Sequence, residues 1–371
     1  MIKILFFIPC LSGGGAEKVL CNLVNNMNQK KFDITVQTME YEDPEKYLVP
    51  GIHYKTVNRY KSKYAKKIFF IFFRICAELK LAYRFFVRGD YDIEVAYLET
   101  ISTKIIAQST NKKAVKLAWI HCDLSKKEGI KDMSSKIYRQ YKVYDKIVCV
   151  SKDVQRGFES LYGSNFKTTV LYNIIDEEEI LKKAQEYLPH EEWGKYLLAV
   201  GRLTQQKNFA HLIDTCGKLR DDGYKFHVDI LGEGPEQSNL EKQIKKLHLE
   251  KIVELKGFVK NPYSYMKNAD YVVCSSRYEG ISSVVVEALI LGKPVITTPC
   301  TGMKELLGES EFGLIAENTE NGLYNSIRKM MDSVKLEEHY IYMSWKRGKY
   351  FYKQNMIGET EKFFEMNYEC K

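Results

Sequence analysis

The sequence predicts an α/β protein built as two doubly wound, Rossmann-like domains with parallel sheets. Three observations predict it. Short apolar runs of strand length alternate with helix-length amphipathic segments almost throughout. The alternation falls into two series, one in each half of the chain. The length, 371 residues, is too great for one small core and suits two domains of ordinary size. Strands that alternate with helices form right-handed βαβ units, whose parallel sheets are covered on both faces.

In chain order, the first series has strand-like runs at Lys3–Pro9, Asp33–Met39, Asp92–Leu98, Lys116–His121, Lys146–Ser151 and Thr168–Asn173. Ala16–Met27 reads as the helix after the first strand, and residues 63–88 also fit a helical period. The boundary is expected between Ile174 and Trp193, a polar, acidic stretch with Pro189 and Gly194 near its end; a surface helix there is equally compatible. The second series has strand-like runs at Tyr196–Gly201, Phe226–Gly232, Ile252–Phe258, Tyr271–Ser276 and Pro294–Thr298, with a helix at Phe209–Asp222. Trp345–Tyr368 reads as one or two helices. The expected domains are residues 1–185 and 186–349, with a C-terminal helix over about 350–371 returning to the first.

Composition narrows the class. Lys and Arg number 56 against 48 Asp and Glu, a net of +8. Tyr54 to Arg88 alone holds ten Lys or Arg and one acid, Glu78, so the rest of the chain is nearly neutral. Such a charge suits nucleic acid, phosphorylated ligands or an anionic membrane. A nucleic-acid binder should spread cations and aromatics over a groove, so one clustered segment argues against it. None of the nine cysteines forms a C-x-x-C pair or sits with histidines at zinc spacing. They read as reduced core thiols of a cytosolic protein. The start, Met1–Gly15, resembles a signal peptide in its Lys and apolar run, but Pro9 interrupts it, and a first buried strand is the better reading. No run is long and apolar enough for a spanning helix.

Three loops carry candidate chemistry, each at the carboxyl end of a strand, where ligands sit in this architecture. Ser12-Gly13-Gly14-Gly15 follows the first strand and opens a helix, whose N-terminus favours an anion. A dinucleotide fingerprint would need a third glycine where Lys18 stands, and a plain strand-to-helix turn is the simpler alternative. Gly201-Arg202-Leu203 leads to Lys207 just before the Phe209 helix. Arg binds phosphate in bidentate fashion and Lys acts as a point charge, so the pair suits a diphosphate; otherwise they are solvated loop cations. Glu279 precedes a helix and Glu287 lies eight residues on, among Val284, Val285, Val286, Ala288 and Leu289. Carboxylates accept paired hydroxyls of a sugar or ribose. A carboxylate inside so apolar a helix is costly unless something binds it. The backbone around Ile281, Ser282 and Ser283 lies at the helix N-terminus, suited to a phosphate.

Together these motifs resemble the retaining nucleotide-sugar glycosyltransferases of family 4, with the GT-B fold: two Rossmann-like domains facing a deep cleft. The shared features are the E-x7-E spacing of Glu279 and Glu287, the G-R-L-x3-K-N stretch at Gly201–Asn208, and the glycine loop at Ser12–Leu20. Tyr172–Asp176, Leu231–Pro235 and Lys256–Val259 match in kind and order. The resemblance implies that Arg202 and Lys207 hold the donor diphosphate and stabilise it as it leaves. It implies that Glu279 and the following Gly280, Ile281, Ser282 and Ser283 contact the transferred sugar and phosphate, and that Glu287 binds the ribose. Phe258 and Val259 would meet the nucleobase, His121 the sugar and diphosphate, and Gly14 and Gly15 the diphosphate and acceptor. The family commonly has a glycine where Ser282 stands. The nucleotide-sugar is a co-substrate, with no cofactor and no essential metal expected. Asp90-Tyr91-Asp92 is a D-x-D, but it lies ahead of a strand without the matching context.

The basic segment completes the reading. On a helix at 100° per residue, Lys63, Lys66, Lys67, Arg74, Glu78, Lys80, Arg84 and Arg88 fall within an arc of about 160°. Ile68, Ile71, Phe72, Ile75, Leu79, Tyr83 and Phe86 take the other side, with Phe70, Phe73, Leu81 and Phe85 intruding. Lys55–Arg88 is therefore expected to meet an anionic membrane surface, placing the protein peripherally on the cytoplasmic face of the inner membrane. The expected function is transfer of a sugar, by default from a UDP-sugar, to a hydroxyl of a lipid-linked or polysaccharide precursor. The alternatives are a nucleotide-sugar epimerase of the same fold and a non-catalytic basic membrane-binding protein.

Overall fold

The computed structural model describes residues 1–12, 14–58, 62–126, 137–186 and 194–369. Gly13, Arg59, Lys61, Pro189 and Trp193 lie outside these residues, as do the side chains of Lys63 and Lys66. The chain forms two compact units, one of Met1–Ile174 with Gln354–Lys371 and one of Ile175–Lys353.

In the first unit, β1 (Ile2–Ile8), β2 (Phe32–Glu40), β3 (His53–Asn58), β4 (Ile93–Ala96), β5 (Val115–Ile120), β6 (Lys146–Cys149) and β7 (Thr168–Val170) form one sheet. Its order is β3-β2-β1-β4-β5-β6-β7, and every pairing is parallel. The run from Ile4 to Ile8 is fully buried, as a central strand covered on both faces requires. Strand order reverses between β1 and β4.

The second unit repeats the plan with β8 (Lys195–Val200), β9 (Phe226–Leu231), β10 (Val253–Gly257), β11 (Tyr271–Cys274), β12 (Val295–Thr297) and β13 (Leu314–Ile315), in the order β10-β9-β8-β11-β12-β13. Leu197, Val228, Ile230, Val273 and Ile296 contribute to its core beneath the helix Phe209–Asp221. Here the order reverses between β8 and β11. The loops after those two strands are Gly201–Asn208 and Ser275–Ser282, so the topology brings two of the sequence motifs to one switch point.

Two edge strands, β3 and β13, escape the apolar-run criterion. Residues His53–Asn58 are mostly half-buried and include Lys55, because an edge strand has one open side. β13 is only two residues long. The helix Glu177–Lys183 lies in the second unit, against an expected first-domain limit of 185. It is tied there by Asn261, whose Nδ2 donates to Lys183 O at 2.9 Å, and by Lys267, whose Nζ donates to Gln185 Oε1 at 2.7 Å.

The C-terminal helix Lys353–Glu369 supplies Phe364, fully buried against Phe6 (5.8 Å), Trp119 (6.1 Å) and Phe32 (6.3 Å). The second unit thus interrupts the first in sequence. Ile175 and Tyr352 are bridged in parallel where the chain enters and leaves it.

The basic segment differs from a single amphipathic helix. Lys55 lies on β3, and beyond residue 62 the segment has two helices, Lys63–Glu78 and Ala82–Phe86, broken where Lys80 takes φ +58°. The buried side of the longer helix is Phe73, Cys76 and Ala77. Of the apolar side named above, Ile68, Ile71, Phe72, Ile75 and Leu79 are exposed, and Tyr64 extends the stripe. Phe73 packs on Phe86 of the shorter helix, with ring centroids 5.2 Å apart, and the bulky apolar stripe stays outside. The described cysteines are all free thiols. Among the described residues no helix is long and apolar enough to cross a membrane.

Candidate active site

The two loops at the β8/β11 switch are built around close backbone approach. A Cβ on Gly232 would lie 1.9 Å from Gly201 O, and one on Gly234 would lie 2.3 Å from Leu203 O. Only glycine lets the loop after β9 press onto Gly201–Leu203. Leu203 N then donates to Glu233 O at 2.9 Å, and Glu236 N to Leu203 O at 3.0 Å.

Lys207 and Glu279 meet across the switch point: Nζ lies 2.6 Å from Oε1. The Glu279 side chain is 8 % exposed and that of Lys207 20 %. Burial lowers the Lys207 pKa, but the Glu279 carboxylate outweighs it and leaves the ammonium above its ordinary range. Ser276 Oγ also donates to Glu279 Oε1, at 2.6 Å. Ser275 Oγ donates to Lys207 O at 2.8 Å, and Gln206 Nε2 to Tyr278 O at 3.0 Å, locking the two loops together. The pair is a preorganised cation and anion with few rotamers left to lose.

Arg202 is exposed at the carboxyl end of β8. Glu287 is buried on the helix Ser283–Ile290, where Tyr263 Oη donates to its Oε1 at 3.1 Å. The apolar helix therefore tolerates the carboxylate partly through a neighbour that spacing does not reveal. Gly280, Ile281 and Ser282 are buried and Ser283 half-buried. Ser282 is the N-cap of that helix, but its side chain makes no cap bond, and its buried Oγ has no partner among the described residues. Gly302 packs behind the loop, where a Cβ would come within 2.3 Å of Gly280 O. Phe258 is 74 % exposed and Val259 half-buried; Phe258 N points to Glu233 Oε1 at 3.4 Å.

Gly14 and Gly15, in the first unit, begin the helix Gly15–Asn26 after β1. The Glu17 carboxylate folds back over Gly14, where a Cβ would meet it at 2.3 Å. Leu11 N and Ser12 Oγ both donate to Glu42, which anchors the loop from the end of β2. His121 stands at the end of β5, with its ring centroid 4.9 Å from that of Tyr97. Burial holds its pKa below the ordinary histidine range, against the pull of Glu99.

Sequence reasoning missed Ser276, Tyr263, Glu42 and Glu99, single polar residues without a motif of their own. Asp92 of the D-x-D accepts from Lys3 N at 2.8 Å and ties the start of β4 to β1. Among the described residues, His227, Asp229 and Glu254 have metal-ligand spacing, with ligand atoms within 4.8 Å of one another. Lys256 Nζ lies 2.6 Å from Glu254 and 3.7 Å from Asp229, so an ammonium already serves those carboxylates.

Residues 13–179 match the family described as Glycosyltransferase Family 4, and residues 182–347 the family described as Glycosyl transferases group 1. The chain is 29 % identical to the N-acetylgalactosamine-N,N'-diacetylbacillosaminyl-diphospho-undecaprenol 4-alpha-N-acetylgalactosaminyltransferase of Campylobacter jejuni, over 98 % of this chain and 99 % of that one. It is 25 % identical to the amylovoran biosynthesis glycosyltransferase of Erwinia amylovora, over 94 % and 95 %. Among solved structures, Anabaena HepE in complex with UDP and glucose aligns with a TM-score of 0.77 at 19 % identity, covering 98 % of this chain and 100 % of that one. Sucrose-phosphate synthase of Thermosynechococcus elongatus aligns at 0.81 and 14 %, covering all of both. These likenesses establish the fold.

Proposed function

The chain belongs to the family 4 glycosyltransferases with the GT-B fold, and on that premise we propose that it is a retaining enzyme. It moves a sugar from a nucleotide-sugar, by default UDP-linked, to a hydroxyl of a lipid-linked or polysaccharide glycan precursor. The observation that carries this reading is the buried Lys207–Glu279 pair, 2.6 Å apart at the β8/β11 switch point.

In this reading Arg202 and Lys207 receive the diphosphate, and their charge stabilises it as the bond to the sugar breaks. Glu279 accepts hydroxyls of the transferred sugar, with backbone N–H groups of Gly280–Ser283 beside it. Glu287 takes the ribose, and Phe258 and Val259 the base. Gly14 and Gly15 border the diphosphate and acceptor, and His121 serves the sugar. The acceptor hydroxyl attacks from the face the diphosphate leaves, and a phosphate oxygen takes the hydroxyl proton. With two cations on the leaving group, no divalent metal is required.

The UDP-linked Anabaena structure and the undecaprenol-linked substrate in the Campylobacter relative's name support the donor and acceptor classes. The test is a thermal-shift screen of UDP, GDP, ADP and dTDP sugars, followed by transfer with the best donor. We expect stabilisation by one nucleotide class, mass action making the shift visible. Transfer should keep the donor's anomeric configuration and survive chelation. An inverted product would sink the retaining mechanism, and no stabilisation by any donor would sink the donor site.

The proposal extends to place. The exposed stripe Tyr64, Ile68, Ile71, Phe72, Ile75 and Leu79 lies beside exposed Lys67, Arg74, Lys80 and Arg84. Apolar side chains flanked by cations suit the headgroup region of an anionic bilayer. The enzyme then works peripherally on the cytoplasmic face of the inner membrane, through Lys55–Arg88.

A further inference from the structure

Glu99 follows β4 and is buried, 6 % exposed. One carboxylate oxygen, Oε1, accepts the backbone N–H groups of both His121 and Cys122, the second at 3.1 Å. The next residue, Thr100, has φ +75° and ψ −98°, a left-handed backbone that a β-branched residue rarely adopts. The turn is held there by Thr103 Oγ1, which donates to Thr100 O at 2.9 Å, and by Lys104 N, at 3.0 Å. A strained backbone kept at one position, with a buried carboxylate beside it, marks a turn shaped for placement.

What it places is the His121 imidazole. Its ring packs on that of Tyr97, with the centroids 4.9 Å apart. Nε2 is buried and has no partner among the described residues, and burial favours the neutral ring. A buried ring nitrogen without a partner inside the protein fits a substrate O–H.

We propose that Glu99 is the positioning residue for His121: it clamps the His121–Cys122 backbone so that neutral Nε2 accepts a hydrogen bond from a hydroxyl of the transferred sugar. This rests on the reading of His121 as a sugar contact. Glu99 itself touches no substrate.

The test uses the full chain with Glu99→Gln, Glu99→Ala and His121→Ala, measuring transfer against pH. The charged and titratable groups nearby are Asp123, Cys122, Tyr97, Tyr141 and Cys149. Burial raises both tyrosines and pushes the Cys149 thiol up to about 12, so these three do not ionise near neutrality. Glu99→Gln keeps a carbonyl oxygen for both N–H groups but removes the charge that raises the His121 pKa. We expect near-normal transfer at the alkaline plateau and an acid limb moved to lower pH. Glu99→Ala loses the clamp, and kcat should fall by about 10²-fold through misplacement of the ring, with the donor KM little changed.

An acid limb that does not move in Glu99→Gln overturns the proposal, even if Glu99→Ala fails to fold. So does normal kcat in a folded Glu99→Ala when His121→Ala is impaired. Normal transfer by His121→Ala instead overturns the reading of His121 on which the proposal rests.

Discussion

At the scale of single residues, the Lys207–Glu279 pair dominates. Removing Lys207 leaves a buried carboxylate with Ser276 donating to the same oxygen, and in the proposed mechanism it also takes a cation from the leaving group. Lys207→Ala should lower kcat by about 10²–10³-fold, the scale for losing one aimed charge or donor at a developing anion. Steady-state transfer with saturating donor measures it. Glu279→Ala should do comparable damage, because it removes the proposed sugar contact and strands the ammonium. The pair also sets a pH dependence. Lys207 sits above its ordinary 10.5 in the folded protein, so its contribution to stability is complete below 10.5 and fades as pH rises through the higher folded value. The Tm deficit of Lys207→Met should therefore be constant through neutral pH and shrink above 10.5. Tyr263→Phe removes one bond to Glu287 and should weaken donor binding by about 1 kcal/mol, roughly fivefold in Kd, measured by titration.

These residues also show what was legible. Arg202, Lys207, Glu279 and Glu287 stand out in the sequence because charged groups recur at fixed spacing beside predicted strand ends. Ser276, Tyr263 and Glu99 do not. Each acts on one partner through a single oxygen, and Glu99 reaches His121 only because β4 and β5 are neighbours in the sheet.

At the scale of elements, periodicity proved a better guide to the existence of helices than to their orientation. Residues 63–78 are amphipathic by spacing, with Ile68, Ile71, Phe72 and Ile75 on the side away from the cations. The structure buries Phe73, Cys76 and Ala77 and leaves Ile71 at 54 % and Phe72 at 51 % exposure. A helix with two apolar arcs cannot declare from sequence which one meets the sheet; fit decides it. Replacing both Ile71 and Phe72 by Asp should leave stability nearly unchanged, since neither is in the core. It should abolish co-flotation with vesicles containing anionic lipid, and equal flotation of the variant would count against membrane contact. In the second unit, Gly232→Ala should destabilise by about 2–3 kcal/mol, a strained backbone being a recognised source of large effects. Denaturant unfolding measures it, the clash being with Gly201 O, 1.9 Å away, at a position with φ +142°.

At the scale of the whole molecule, the second unit is inserted into the first, which closes only when Gln354–Lys371 returns. Phe364 is the anchor, fully buried among Phe6, Phe32 and Trp119. Phe364→Ala should cost about 3–5 kcal/mol, and the loss should appear in unfolding of the first unit. Tryptophan fluorescence reports on that unit through Trp119 once Trp193 and Trp345 are replaced by Phe.

By itself the sequence determined two Rossmann-like units, the strand ends that carry Gly14, Arg202 and Glu279, and the clustering of positive charge between Lys55 and Arg88. Those are local properties: strand-length apolar runs, helical period, glycine where a turn must be tight. Tertiary structure alone decided that Lys207 and Glu279 pair, that Tyr263 serves Glu287, that Glu99 holds His121, and which arc of residues 63–78 faces water. All four depend on strand order and on the fit of helices to sheets, and these bring together residues whose separation along the chain carries no trace of their contact.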